Sequence, residues 1–235
     1  MREYGAVPGR FGADVQRVES GVKIDNDLYV RDSGKCVLCY KCVDACGHDA
    51  QNTFAIAAAG RGFDAHISTE RNVPLPTSAC VYCGNCIAVC PTGALMASHE
   101  FDLRQAGNWR EAEQTRTDTI CGYCGVGCTL TLHVQDERIV KATSPFENSV
   151  THGNLCVKGR FGFDYAHHPH RLTRPLIRKP GVRKSKDFSV DPDNWREVFR
   201  EATWDEALDL AAGSLRRIRD EVGVHTLAGF GSAKG

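Results

Sequence analysis

A chain of 235 residues is long enough for one large domain or two small ones, and with 42% apolar residues it can build a packed core. Its formal net charge is zero, so no general field draws it to nucleic acid or to an anionic membrane surface. No run approaches the roughly 18 apolar residues of a membrane span. The opening "MREYGAVPGRFGADVQRVESG" lacks the apolar centre of a signal peptide, which favours a cytoplasmic protein without a span.

After a lead over residues 1–26, the chain becomes cysteine-rich: eleven of twelve cysteines lie between Cys36 and Cys128, in three tight groups. Disulfides are rare in a reducing cytosol, so without an export signal this density points to metal binding. "CVLCYKCVDAC" supplies Cys36, Cys39, Cys42 and Cys46; "CVYCGNCIAVCP" supplies Cys80, Cys83, Cys86 and Cys90. Both read C-x2-C-x2-C-x3-C, the spacing of two-cluster bacterial ferredoxins, in which the fourth cysteine of each array ligates the other array's cluster. The spacing predicts one 4Fe–4S cluster on Cys36, Cys39, Cys42 and Cys90 and a second on Cys80, Cys83, Cys86 and Cys46, with each fourth cysteine opening a short helix. Zinc fits less well, because its sites use two separated ligand pairs. Gly47 stands where the second array carries Pro91. Between the arrays, "TFAIAAAGRGFDAHIS" reads as a β-hairpin around Gly-Arg-Gly that shields the clusters.

The third group, "ICGYCGVGCTLTL", holds Cys121, Cys124 and Cys128 among glycines that permit close wrapping. Leu130, Leu132 and Val134 alternate, a polar turn follows at Asp136–Arg138, and Ile139 and Val140 resume the apolar pattern, which predicts a hairpin. The hairpin would return the chain to the one remaining cysteine, Cys156, completing a third cluster on Cys121, Cys124, Cys128 and Cys156. A structural four-cysteine zinc site is the alternative here.

From His167 onward no ligand set stands out. "HHPH" has a proline at its centre and no partner cysteine or carboxylate in the sequence around it. Seven basic residues between Arg171 and Lys186 read as a solvated connector, the competing reading being contact with anionic phosphates. "ATWDEALDLAAGSLRRIRDEVG" predicts a helix capped by Thr203, with Glu206 completing a capping box, an apolar face through Leu208, Leu210 and Leu215, and Gly223 as its stop. "VHTLAGFGSAKG" then reads as a strand entering a glycine loop, the start of an α/β layer.

"CGYCGVGC…NLCVKGRFGFDY" resembles the N-terminal cluster domain of molybdopterin oxidoreductases, and the order of motifs is most similar to the catalytic subunit of NAD-linked molybdenum formate dehydrogenases. "GRGFD", "CVYCGNCIAVCPTGALM", "RPLIR", "TWDEAL" and "GFGSAKG" carry the resemblance over residues 25–235. It implies an α+β chain: a ferredoxin-like domain with two 4Fe–4S clusters over 27–112, a β-rich 4Fe–4S domain over 113–172, and the truncated start of a molybdopterin-binding α/β domain over 173–235. It implies three clusters, a molybdenum bis(molybdopterin guanine dinucleotide) in the full-length protein, formate as substrate, and a flavin subunit that reduces NAD as partner. Lys158 would lie between the third cluster and a pterin, and Ser232, Lys234 and Gly235 would line the pterin side. The family's molybdenum ligand and catalytic histidine fall downstream of the matched region, so no catalytic residue is assigned within these residues. The competing readings are a stand-alone electron carrier, a zinc-stapled interaction protein, and a cluster subunit of another assembly. Of such assemblies, complex I relatives are set apart by their cysteine spacing, and iron hydrogenases by their lack of the "CGYCGVGC…NLCVKG" domain.

Overall fold

A computed structural model describes residues 21–184 and 189–231, together with Gly5, Val7 and Arg10. Helices and antiparallel strands mix, in two compact units. The first takes the chain up to Tyr123 and again over Gly127–Phe163; the second takes Cys124–Val126 and the chain from Asp164. No helix among the described residues is long and apolar enough to cross a membrane.

The first unit opens with β1 (Val22–Lys23) and β2 (Tyr29–Asp32), followed by the first cysteine array and α1 (Lys41–Cys46). A hairpin of β3 (Ala57–Ala59) and β4 (His66–Ser68) comes next, as the sequence predicts, its strands joined through Gly60 and Gly62 with left-handed φ of 71° and 60°. The second array leads into α2 (Asn85–Val89), then β5 (Leu95–Ala97) and α3 (Ser98–Gln105). β2 is the middle strand of a sheet ordered β1-β2-β5, with Tyr29 opposite Ala97 and Val30 opposite Met96. Its residues Tyr29 and Val30 are 2% exposed, and Tyr29 joins Cys42, Ile56, Leu75 and Leu95 in the core. α1 packs against α2.

β6 (Thr115–Ile120), β7 (Thr129–Gln135) and β8 (Arg138–Thr143) form the second sheet of this unit, and α4 (Val157–Phe161) packs on β8. The predicted β7–β8 hairpin is present, turning at Asp136 and Glu137, both left-handed. The pairing slips between His133 and Val134, where β8 carries one extra residue, Val140, and the buried positions of β7 do not follow the predicted Leu130, Leu132, Val134 alternation. His133 and Gln135 turn inward, while Val134 is only half-buried. The Gln135 amide then closes the joint between α3 and the sheet: its Nε2 donates to the Asn108 carbonyl at 2.9 Å and its Oε1 accepts from Arg110 N–H at 2.9 Å. A second tie is ionic. Glu100 of α3, 4% exposed, receives Arg104 Nη2 and Lys141 Nζ of β8, each at 2.7 Å.

His133 bonds Thr143 Oγ1 through Nε2 at 2.9 Å, and its buried Nδ1 has no partner. Burial first, and then the Lys141 and Arg116 cations, hold its pKa below the ordinary histidine value against the opposing pull of Glu111 and Glu100. Below about pH 6.5 the unfolded chain therefore takes up a proton that the folded chain resists. The contribution is favourable above that pH and declines as pH falls through it. We expect the wild type to lose more thermal stability between pH 7.5 and 5.5 than His133→Gln does; equal losses by calorimetry would remove this assignment.

In the second unit, β9 (Leu176–Arg178) pairs with β10 (Phe199–Glu201), and α5 runs Trp204–Glu221. Thr203 caps α5, its Oγ1 accepting from Glu206 N–H at 3.2 Å. The other half of the predicted capping box is not made: the Glu206 carboxylate pairs with Arg200, whose Nη1 stands 3.1 Å away, because a guanidinium outcompetes a backbone amide for a carboxylate. Leu208, Leu210 and Leu215 keep helical spacing but are 58%, 51% and 54% exposed. The predicted strand after Gly223 does not form over the described residues. A short 3-10 turn at Val224–Thr226 gives way to irregular chain through Gly231, which pairs with no described strand. Ser232, Lys234 and Gly235 lie outside the described residues.

The basic stretch departs from a plain connector where residues 176–178 become β9. Arg174 remains 72% exposed at its side chain and sits 3.8 Å from Glu201. In "HHPH", His170 finds a carboxylate the sequence did not suggest, Asp193 Oδ1 at 3.0 Å.

Candidate iron–sulfur centres

The two arrays share a backbone trace. Leu38 and Tyr40 in the first, and Tyr82 and Gly84 in the second, hold left-handed φ of 51°, 62°, 57° and 68°. Two left-handed residues at alternate positions curl the chain so that three thiols face inward. The curl also turns backbone N–H groups onto sulfur: Leu38 N lies 3.4 Å from Cys36 Sγ, and Tyr82 N 3.4 Å from Cys80 Sγ. Each loop then enters its helix at the left-handed residue, so Cys42 and Cys86 sit in the first turns of α1 and α2. Contrary to the expectation from spacing, the fourth cysteines do not open a helix. Cys46 is the last residue of α1 and Cys90 the cap that follows α2. About one helical turn, three residues, separates the third cysteine from the fourth and carries the fourth away from its own loop.

That displacement decides what each fourth thiol faces. One cavity is lined by Cys36, Cys39, Cys42 and Cys90, with Ile56, Ile67 and Leu95 around them. Another is lined by Cys46, Cys80, Cys83 and Cys86, with Tyr29, Leu75 and Leu95. Four soft sulfur donors, apolar walls and N–H groups aimed at sulfur suit a 4Fe–4S cubane. The thiols also load one another electrostatically in these sets. Burial, then Cys90, Cys36 and Cys39, push the Cys42 thiol up to about 11; burial, then Cys83, Cys46 and Cys80, push Cys86 up. A buried set of thiolates needs a positive core to be stable. Among the described residues no three Cys, His, Asp or Glu side chains gather closely enough for a single ion, so the thiols surround volumes rather than points.

Further donors converge on the second cavity. The Tyr29 hydroxyl is 2.7 Å from Cys80 Sγ, and Ala55 N–H donates to Cys46 Sγ at 3.3 Å. On the first, Cys90 has the backbone amides of Leu95, Thr92 and Ala94 around it, which outweigh burial and lower its pKa. Gly47 is explained by packing: a Cβ there would come within 2.7 Å of the Phe54 ring, so neither proline nor alanine fits.

Of the third group, Cys121 is buried against Leu130 and Leu155, with Cys128 packed beside it, and Cys121 N–H donates to the Cys128 carbonyl at 2.8 Å. Cys156 caps α4 and is exposed. Cys124 falls in the second unit. Lys158 is half-buried on α4, with Nζ 5.9 Å from the Tyr123 ring centre.

Three residues next to the second array carry no signal in the motif spacing. Asn85 is 3% exposed, and its Oδ1 accepts from Leu155 N–H and Arg160 Nη2, both at 3.1 Å. Arg160, 5% exposed, also donates Nε to the Cys83 carbonyl at 2.9 Å. Tyr29 stacks on Phe161 at 6.0 Å. The one available hint was a pair of positions: the second array has glycine where the first has Tyr40, and a Cβ on Gly84 would lie 2.2 Å from Arg160 Cδ.

Residues 35–94 match the family model of the 4Fe-4S dicluster domain, and residues 114–168 that of the molybdopterin oxidoreductase Fe4S4 domain. The chain is 32% identical over 230 residues to NADPH-Fe(3+) oxidoreductase subunit alpha of Geobacter sulfurreducens, covering 98% of this chain and 24% of that protein. It is 33% identical over 197 residues to an NADH-quinone oxidoreductase subunit of Rhizobium meliloti, covering 83% and 21%. It is 30% identical over 241 residues to a "putative formate dehydrogenase" of Staphylococcus haemolyticus, covering 88% and 23%. The chain thus spans about a quarter of the length of the curated relatives it matches. These similarities support the molybdopterin oxidoreductase superfamily and define a 4Fe–4S electron-transfer module of the oxidoreductase class. They also narrow the distance from complex I, since the NADH-quinone oxidoreductase relative is as similar as the others.

Proposed function

We propose that these residues are the iron–sulfur portion of a molybdenum-dependent formate dehydrogenase, holding three 4Fe–4S clusters on the ligand sets assigned above. The observation that carries the cluster reading is that Cys90 lines the first array's cavity and Cys46 the second's. A molybdenum–pterin centre elsewhere in the full-length protein would supply the two-electron oxidation of formate to carbon dioxide, and 4Fe–4S clusters pass electrons singly. The chain's own residues bind, insulate and order the carriers. The β3–β4 hairpin contributes Ile67 to one apolar wall. Leu75 and Tyr29 form part of the other. Lys158 would hold a cation between the third cluster and a pterin, and a flavin subunit reducing NAD would draw electrons from the ferredoxin pair.

Metal analysis and substrate reduction test the two levels separately. The anaerobically loaded chain should carry iron and sulfide equivalent to three 4Fe–4S clusters, and zinc in their place would overturn the cluster reading. In the full-length gene product with its partners, formate should bleach the cluster absorption. Bleaching by NADPH or NADH with none by formate would favour a second reading, supported by the Geobacter and Rhizobium similarities, in which the module distributes electrons supplied by a nicotinamide.

A further inference from the structure

The surroundings of the two cavities differ in charge. Arg31 lines both, but its guanidinium is paired with the Asp25 carboxylate. Arg160 is different. It is 5% exposed, and its partners are the Cys83 carbonyl and the Asn85 amide oxygen, both neutral. Among the described residues no carboxylate lies within ion-pair distance of it. A buried, uncompensated cation is costly unless something anionic lies close by. What lies close by are the thiols of Cys83 and Cys86, whose electrostatic influence on Arg160 is the favourable one. Tyr29 adds a phenolic hydroxyl on Cys80 Sγ, and its ring is held by Phe161, the neighbour of Arg160 on α4. One turn of helix therefore delivers both a positive charge and a braced hydrogen-bond donor to the second array.

We propose that Arg160, acting with Tyr29, is a positioning residue that raises the reduction potential of the cluster on Cys46, Cys80, Cys83 and Cys86, and does so more than for its neighbour on Cys36, Cys39, Cys42 and Cys90. The inference rests on the ligand sets proposed above. Adding an electron makes a cluster more negative, so a fixed cation and a donor to sulfur favour the reduced form. Arg160 lines neither cavity, but its side-chain hydrogen bonds go to Cys83 and Asn85 of the second array and none goes to the first.

Potentiometric titration of the full chain with dithionite and mediators, followed by electron paramagnetic resonance, tests this. The signal of the second cluster is identified as one lost in Cys46→Ala. Arg160→Gln should lower its midpoint by at least the equivalent of a tenfold loss in the reduction equilibrium, about 59 mV for one electron. The other midpoints should move less than half as far. Arg160→Lys, which keeps the charge, should stay within threefold of wild type, and Tyr29→Phe should lower the same midpoint by a smaller amount. Unchanged potentials in Arg160→Gln and Tyr29→Phe, or equal shifts in every cluster, would overturn the inference while leaving the ligand sets intact. Failure of wild-type residues 36–90 to take up two clusters removes the ligand sets themselves, and the inference with them.

Discussion

Replacing Cys46 with alanine should empty the cluster of the second array, not that of the array in which it sits, and Cys90→Ala should do the reverse. Each variant should fall from three clusters to two, retaining roughly two thirds of the wild-type iron. The pairing follows from the cavities, since Cys46 lines the one with Cys80, Cys83 and Cys86, and Cys90 the one with Cys36, Cys39 and Cys42. Double variants separate the crossed arrangement from a local one. Cys46→Ala with Cys80→Ala should remove no more iron than Cys80→Ala alone, because both disable one site. Cys46→Ala with Cys36→Ala should remove twice as much. Iron analysis after anaerobic loading, with spectra of the surviving clusters, reads the result. The opposite pattern in the double variants would mean that each array closes on its own fourth cysteine.

Leu75→Ala should be the most damaging single change in the apolar core, costing about 3 kcal/mol of stability. Leu75 is 2% exposed and sits where Tyr29, Cys42, Ile56 and Leu95 meet. Its N–H also donates to Asp25 Oδ2 at 3.2 Å, which fixes the backbone, so the surroundings have little room to collapse into the space left behind. Because the residue lines the second cavity, the loss should also show there, as faster release of iron from that site than from the first. Chemical denaturation and iron release to a chelator measure the two effects. A cost under about 1 kcal/mol with unchanged release would show that the wall is not formed by this side chain.

The parts of the fold written in local chemistry were legible in the sequence. Alternating residues with polar or glycine turns gave both hairpins, and Thr203 with the apolar spacing behind it gave α5. What could not be read depends on partners distant in sequence. β6, "TRTDTI", has no apolar alternation and is exposed along its length; it is a strand because β7 offers a free edge. The segment after Gly223 has strand-like composition but pairs with no described strand, and is irregular through Gly231. The burial of the polar His133 and Gln135 in place of Val134 is invisible in composition. At the candidate site, the cysteine spacing was enough to suggest the crossed sets, while nothing in the spacing singled out Arg160. Arginine is rarely buried, and only its proximity to Asn85 and Cys83, far upstream in the chain, sets it apart.

The proposed exchange of fourth thiols has a bearing on biogenesis. The cavity of the first array cannot be completed in a nascent chain until Cys90 has emerged, and that of the second array not until Cys86 has. Iron delivery therefore belongs after translation of the whole stretch. A ribosome stalled between the arrays would present four thiols that can neither shield one another nor complete a cage, an oxidation-prone species that scavenging machinery would have to clear.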